Sequence, residues 1–334
     1  MTGPPTADRL RVALLATGGT IACIAGPDGR MVPGLTPEEL VASVPALKEV
    51  ASIRTETLRN VSGFDMGPER MVEVARRARE LLLAGAVDGV VVTHGTDTTE
   101  ETMYMCEMLA GEVTARGPIV FACAMRASTE SGADGPRNLL NAVRIASSLA
   151  ARGRGVLLTV NDRIHCASWV SKLNTLHVET FQSVRGGPVG SMQGGEPVFV
   201  LDSPSSPRGR GIRGDVPLVK AYTGMQTDVF DWHLDRGVDG LVVEGTGAGN
   251  VPSPAAPGIA RLVDAGLPVI VTSRCPYGLP ESPYGGAGGG ASLDDLGVLR
   301  AGHLNGPKAR LALMVGLHET STFAQLGAWL SDIG

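Results

Sequence analysis

The sequence is poor in aromatic residues, with three Trp, four Tyr and six Phe among 334 residues. It has no excess of positive charge: 29 Lys and Arg stand against 34 Asp and Glu, for a net charge of −5. That balance argues against a nucleic-acid protein, which carries a basic stripe. No apolar run approaches the roughly 20 residues of a membrane helix. The run Val12–Ala16 is one strand long, and the polar stretch Met1–Arg11 has no signal-peptide core. The five cysteines (23, 106, 123, 166 and 275) are odd in number and form no CxxC pair. This excludes a disulfide framework and fits a reducing compartment, so a cytoplasmic protein is expected. What the sequence has in plenty is glycine, 45 residues, with 22 prolines and 43% hydrophobic residues. Such a composition supports a full core, which excludes global disorder, and it shows no collagen period.

Apolar runs alternate with helical patterns along most of the length. Arg11–Ala16 reads as a buried strand that ends in Thr17-Gly18-Gly19-Thr20. Thr36-Pro37-Glu38-Glu39 opens a helix, with Thr36 as N-cap, Pro37 at the first turn and Glu39 completing a capping box. Glu69–Ala84 and Glu100–Leu109 read as helices, and Gly89–Thr93 as a central strand apolar on both faces. Pro118–Ala124, Asn138–Ala151 and Gly155–Val160 continue as strand, helix and strand. This rhythm predicts an α/β fold with a mostly parallel sheet covered on both faces. It breaks at Gln193–Asp215, where Ser, Pro, Arg and Gly follow one short strand-like piece. The expected organisation is a larger α/β domain over 1–200, a linker over 201–215 and a smaller α/β domain over 216–334.

In an open parallel sheet, ligands sit beyond the carboxyl ends of the strands. Two such ends are loaded with hydroxyls: Thr17-Gly18-Gly19-Thr20 and Thr93-His94-Gly95-Thr96-Asp97-Thr98. The first has neither of the spacings of a phosphate-binding loop. It is either a structural turn with a Thr cap or a threonine nucleophile, and a Thr hydroxyl needs a neighbouring base to act. In the second, Asp97 or Thr98 could simply cap the following helix. Lys172, after a later strand, offers the missing partner, since a lysine beside an Asp and a Thr can form a proton relay. Alone, it would read as a surface lysine.

These residues, Ala16–Ala22 and Thr93–Thr98, resemble the two signature motifs of the bacterial-type L-asparaginase/glutaminase family. Met125-Arg126, Ala133-Asp134-Gly135-Pro136, Lys172-Leu173-Asn174-Thr175, Gly247-Ala248-Gly249-Asn250 and Leu304-Asn305 with Lys308 extend the resemblance over almost the whole sequence. It implies an amidohydrolase of two α/β domains and a homotetramer with active sites shared between subunits. It implies a small amide substrate, and neither metal nor organic cofactor. Thr20 then matches the primary nucleophile, and Thr96, Asp97 and Lys172 the second Thr with its partners. Which Thr attacks first is left open by the sequence. Asp97 also matches the ligand of the substrate ammonium, and Asn250 a residue lent by the neighbouring subunit. His94 is expected to hold the loop rather than act as base.

The sequence departs from the family in the pocket. Gly63-Phe64 stand where the family has Ser followed by Gln or Thr, in a segment that here reads Ser62-Gly63-Phe64-Asp65-Met66. A lost hydrogen bond there weakens discrimination by about 1–3 kcal/mol. No tyrosine lies between Thr20 and Thr36, where the family often has one on the lid; Arg30 is expected in its place, closing over the site. Glu281 is a candidate for an acidic residue lent in trans, and Gly285–Gly290 reads as a mobile loop. The implied reaction is hydrolysis of L-asparagine. Its alternatives are an amidase for a less polar amide and a non-catalytic binding protein, the last opposed by the intact Thr20, Thr96, Asp97 and Lys172.

Overall fold

The computed structural model describes residues 9–333 apart from 27, 29 and 205. The polar lead over residues 1–8, and Pro27 and Gly29 of the turn before Arg30, lie outside the described residues. The protein divides into two compact units, Met1–Ser203 and Pro204–Gly334. None of the described helices is long and apolar enough to cross a membrane.

The first unit is built on an eight-stranded sheet. Five parallel strands form its core in the spatial order Ser52–Val61, Arg11–Gly18, Gly89–Thr93, Ile119–Ala122 and Val156–Val160. Three antiparallel strands, Arg163–Cys166, Gly190–Gln193 and Glu196–Phe199, extend it. The stretch that reads as irregular after Gln193 therefore begins with the edge strand of the large sheet. The central strands are buried on both faces because their valines and isoleucines have helices above and below. On one face Val12, Leu14, Val91 and Val120 pack with Leu139 and Val143 of the helix Gly135–Ala146, and with Leu40 and Leu47. The helices Pro68–Leu83 and Thr99–Ala110 pack on each other and on the sheet. At Thr36 the capping box forms as its sequence predicts, the hydroxyl accepting from Glu39 N and the Glu39 carboxylate from Thr36 N.

The order of the parallel strands locates the site. The backbone forms the Arg11–Gly18 strand, then the Ser52–Val61 strand on one side of it, then the Gly89–Thr93 strand on the other. The loops leaving Gly18 and Thr93 therefore part toward opposite faces, which opens a crevice at their carboxyl ends.

The second unit has a four-stranded parallel sheet: Leu218–Lys220, Leu241–Gly245, Val269–Ser273 and Leu299–Arg300. The helices Asp228–Arg236, Ala256–Asp264 and Gly306–Glu319 accompany it. One expectation is corrected here. Gly285–Gly290 is not simply a mobile loop, because its second half is a packed turn. Gly288 O accepts from Val251 N at 2.9 Å, and Gly290 begins the helix Gly290–Leu296. A Cβ on Gly288 would lie 2.0 Å from Val251 O, so the glycines serve close backbone packing.

Gly89 gives a test of the helix–sheet contact. A Cβ there would lie 2.1 Å from Ala146 O at the end of the Gly135–Ala146 helix. Gly89→Ala is expected to destabilise the protein by about 2 kcal/mol, through overpacking against backbone that cannot swing aside. A urea midpoint equal to that of the parent would contradict this contact.

Candidate active site

Three turns meet at the crevice through glycine. Gly18 and Gly19 have φ of 103° and 85°, values that residues with a Cβ avoid. A Cβ on Gly19 would fall 2.3 Å from Gly95 N, and one on Gly95 would fall 2.6 Å from Gly63 Cα. The turns are thus in backbone contact, and the residues beside each glycine are thrown into one space. That space is an open cavity of about 250 Å³, whose wall includes Thr20, Gly63, Phe64, Thr96, Asp97 and Lys172.

Each residue arrives by a different route. Thr20 opens a short 3-10 turn, Thr20–Ala22; Gly19 stands at its cap position, with no side-chain cap bond. Thr96 and Asp97 lie on the turn between the Gly89–Thr93 strand and the Thr99–Ala110 helix. Neither Asp97 nor Thr98 caps that helix: Thr98 Oγ1 donates to Gly63 O at 2.6 Å, tying two of the turns together. Lys172 ends the strand Val170–Lys172, which pairs with Phe181–Ser183 in a separate hairpin. Its Nζ donates to Thr96 Oγ1 at 2.9 Å and to Asp97 Oδ1 at 2.7 Å. The lysine side chain is 16% exposed and the aspartate 52%. The cation is therefore largely shielded, while the carboxylate still faces the cavity.

His94 is a support. It is wholly buried, with Nδ1 2.8 Å from Gly95 O and Nε2 2.8 Å from Thr102 Oγ1. A carbonyl can only accept, so Nδ1 carries the hydrogen and Nε2 takes the Thr102 hydroxyl. Burial pushes its pKa down to about 4, which keeps the ring neutral. It fixes the Gly95 carbonyl and with it the direction of the turn that carries Thr96. On the far side, Asp134 accepts from the backbone N–H of Met125 and Arg126 and holds Met125 at the cavity wall.

Three sequence-predicted residues do not line this cavity, two of them (Asn250 and Glu281) expected to act on a neighbouring subunit's site. Arg30 is not brought to the cavity; its side chain is 86% exposed and its Nε lies 3.6 Å from Asp28 Oδ2 in the same turn. The next residue, Met31, lines the cavity instead, from the hairpin of Cys23–Ala25 and Met31–Pro33. Arg30 belongs to the turn, where it lies beside Asp28, and Met31 is the first residue of the strand. Asn250 belongs to the second unit, where its Oδ1 accepts from Gly290 N at 2.9 Å. Glu281, exposed there, donates its N–H to Ala248 O. Cys23, Ser62 and Thr175 also line the cavity without having been singled out in the sequence. Ser62 and Thr175 lie inside quoted motifs, which was the only signal for them. Among the described residues no group of three or more His, Cys, Asp or Glu could hold a metal ion.

Comparison with known proteins gives the family. Residues 11–204 match the family model described as asparaginase, N-terminal, and residues 215–330 match the glutaminase/asparaginase C-terminal domain. The chain belongs to the asparaginase family. It is 32% identical to L-asparaginase 2 of Bacillus subtilis over 345 residues, covering 97% of this chain and 87% of that protein. It is 34% identical over 279 residues to a glutamyl-tRNA(Gln) amidotransferase subunit of Pyrococcus furiosus, covering 80% of this chain and 63% of that protein. The crystal structure of a probable cytoplasmic L-asparaginase from Campylobacter jejuni superposes with a TM-score of 0.83 at 31% identity, covering 97% of this chain and 99% of that one. The protein is accordingly an amidohydrolase of the asparaginase family, with the two-unit α/β fold of that family.

The buried imidazoles predict a pH dependence of stability. His94 and His165 both have pKa values pushed down to about 4 by burial, from an ordinary 6.5. Between those values the unfolded protein binds the protons that the native state refuses, so stability rises with pH through the window and is lost on acidification. Each histidine contributes a slope of about 1.4 kcal/mol per pH unit. Unfolding free energies from urea titrations between about pH 4 and 6.5 should show it; a flat profile there would mean that these rings are protonated in the native state.

Proposed function

We propose that this asparaginase-family enzyme hydrolyses L-asparagine to L-aspartate and ammonia by way of a threonine acyl-enzyme. The observation that carries the reading is the Lys172 ammonium group bridging Thr96 Oγ1 and Asp97 Oδ1 on the wall that also holds Thr20.

Thr20 is the attacking residue in this reading. No hydrogen bond engages its hydroxyl among the described residues, whereas Thr96 is already held by Lys172 and is nearly closed to solvent. Thr20 Oγ adds to the side-chain amide carbonyl, and its proton passes to the departing nitrogen. The C–N bond breaks, ammonia leaves, and an ester to Thr20 remains. Water then adds to the ester, the C–O bond to Thr20 breaks, and aspartate is released with the threonine proton restored. The Thr96–Lys172–Asp97 set orients the transfer: the Lys172 ammonium donates to Thr96 Oγ1 and to Asp97 Oδ1, which leaves the Thr96 hydroxyl hydrogen to donate to the reacting centre and then to the attacking water. Backbone N–H groups of the turn at Thr96 receive the oxyanion, the kind of contact that grows in the transition state. The free oxygen of Asp97 meets the substrate ammonium.

Two further parts of the proposal rest on the family resemblance and on composition. The working assembly is a homotetramer in which Asn250 of one subunit serves the site of another. The compartment is the cytoplasm, which the five free cysteines support.

The test is ammonia release from L-Asn, L-Gln, D-Asn and a simple aliphatic amide. L-Asn should be the best of the four. Thr20→Ala and Lys172→Met should each lower kcat/KM for L-Asn by about a thousandfold or more with the circular dichroism spectrum unchanged. Activity within tenfold of the parent in Thr20→Ala would remove the nucleophile from this scheme.

A further inference from the structure

The cavity is chemically lopsided. Among the described wall residues the one carboxylate, Asp97, has a single oxygen engaged by Lys172, and this end of the cavity recognises a cationic group on the ligand. The one cation among them, Lys172, is committed to Thr96 and Asp97. A second, anionic group on the ligand thus meets no free cation among the described wall residues. What remains for it lies around Ser62–Phe64. Ser62 offers a neutral hydroxyl; Gly63 offers no side chain, only its backbone N–H, another neutral donor. A neutral donor bonds a carboxylate about twice as strongly as a carbonyl, a smaller preference than a cation would impose, so a carbonyl oxygen is still accepted there. Beyond it stand two apolar side chains that the single subunit leaves uncovered. Phe64 is 74% exposed and Met31 is 44% exposed, both on the cavity wall. An exposed Phe beside a polar site gains most when a ligand covers it.

We infer that the enzyme also deamidates asparagine whose α-carboxyl group is capped as an amide, namely N-terminal asparaginyl peptides with an apolar second residue. The free α-ammonium sits on Asp97 and the side-chain amide faces Thr20. The peptide carbonyl takes the place of the carboxylate at Ser62, and the second side chain lies on Phe64 and Met31. The bonds made and broken are those of the asparagine reaction: the C–N bond of the asparagine amide is replaced by C–O, ammonia leaves, water enters, and the peptide bond is untouched. The inference rests on the asparagine-hydrolysing reading of the site, and it adds which of the substrate's two charges is required.

The experiment compares ammonia release and product mass for L-Asn, L-Asn-L-Leu, L-Asn-Gly and Gly-L-Asn. L-Asn-L-Leu should reach a kcat/KM within about tenfold of L-Asn and exceed L-Asn-Gly about fivefold, as burial of an apolar side chain against a pocket wall provides. Gly-L-Asn, which lacks the free ammonium beside the amide, should fall by about a hundredfold or more. Phe64→Ser and Met31→Ser should each lower the ratio of the L-Asn-L-Leu rate to the L-Asn rate about fivefold, a quantity that loss of folded enzyme does not move. Turnover of L-Asn with L-Asn-L-Leu more than a hundredfold slower would overturn the inference and leave the asparagine reading standing. So would a ratio unchanged in both variants, or Gly-L-Asn accepted as well as L-Asn-L-Leu. Absence of ammonia from L-Asn and from every peptide would overturn both.

Discussion

The contact of three backbones at Gly19, Gly63 and Gly95 is the constraint on which the site depends. Parallel strands lie about 4.8 Å apart, and side chains normally keep the turns at their ends from touching. Here the turns touch because Cβ atoms are absent where they would collide. The contact draws Thr20, Phe64 and Thr96, each one residue beyond its glycine, to the rim of one cavity. Bonds reinforce it from outside, with Thr98 holding Gly63 and the His94 ring holding Gly95. A hydroxyl nucleophile has little intrinsic reactivity, so most of the rate must come from placement and from charge stabilisation. A frame made of backbone contacts and buried hydrogen bonds is suited to that, since it has few rotamers to lose.

The second element of the design is electrostatic. The site holds one carboxylate and one ammonium in a shared hydrogen-bonded set, so it carries no net charge of its own from the pair. Lys172 reaches the cavity from a hairpin outside the main sheet. Its shielding makes its bond to Thr96 stronger than a surface contact would be, because the local dielectric is lower. The exposure of Asp97 does the reverse, leaving its second oxygen open to an incoming cation. In the proposed mechanism one ion pair serves both the hydroxyl chemistry and substrate recognition, and the division between the two tasks follows from which end of the pair is buried.

Much of this was legible in the sequence. The strand–helix rhythm pointed to the parallel sheet because doubly covered strands must be apolar throughout, and the pattern survives in single letters. Thr20, Thr96, Asp97 and Lys172 stood out through motif resemblance, and Lys172 could be joined to the others only that way, since 75 residues separate it from Asp97. Arg30 and Met31 could not be told apart, because the Met31–Pro33 strand is three residues long, too short for its start to be placed from the sequence. Gly63 was legible only as a missing hydroxyl. Its packing against Gly95 is a long-range backbone contact, and no local pattern encodes one. The Gly285–Gly290 run misled for the same reason: glycine permits a mobile loop and a tightly packed turn equally, and the choice is made by Val251 and Tyr284, which lie elsewhere in the sequence or at the edge of the run.

The frame and the residues beside it are free to change at different rates. A side chain at position 19 or 95 would collide with backbone at 2.3 or 2.6 Å, so those positions are closed to substitution without moving a turn. At position 63 a Cβ would stand 3.1 Å from Gly95, tight but short of collision, so a small residue could enter at the expense of a slight shift. Position 64 has no such limit, because its side chain points into solvent at the cavity rim. Met31 sits on a two-stranded hairpin outside the main sheet. The hydroxyls of Thr20 and Thr96 are thus held beside glycines that cannot carry a side chain, and the cavity wall at Met31, Gly63 and Phe64 is built from positions that can vary. The geometry therefore allows the wall at positions 31, 63 and 64 to differ without disturbing the placement of Thr20, Thr96, Asp97 and Lys172.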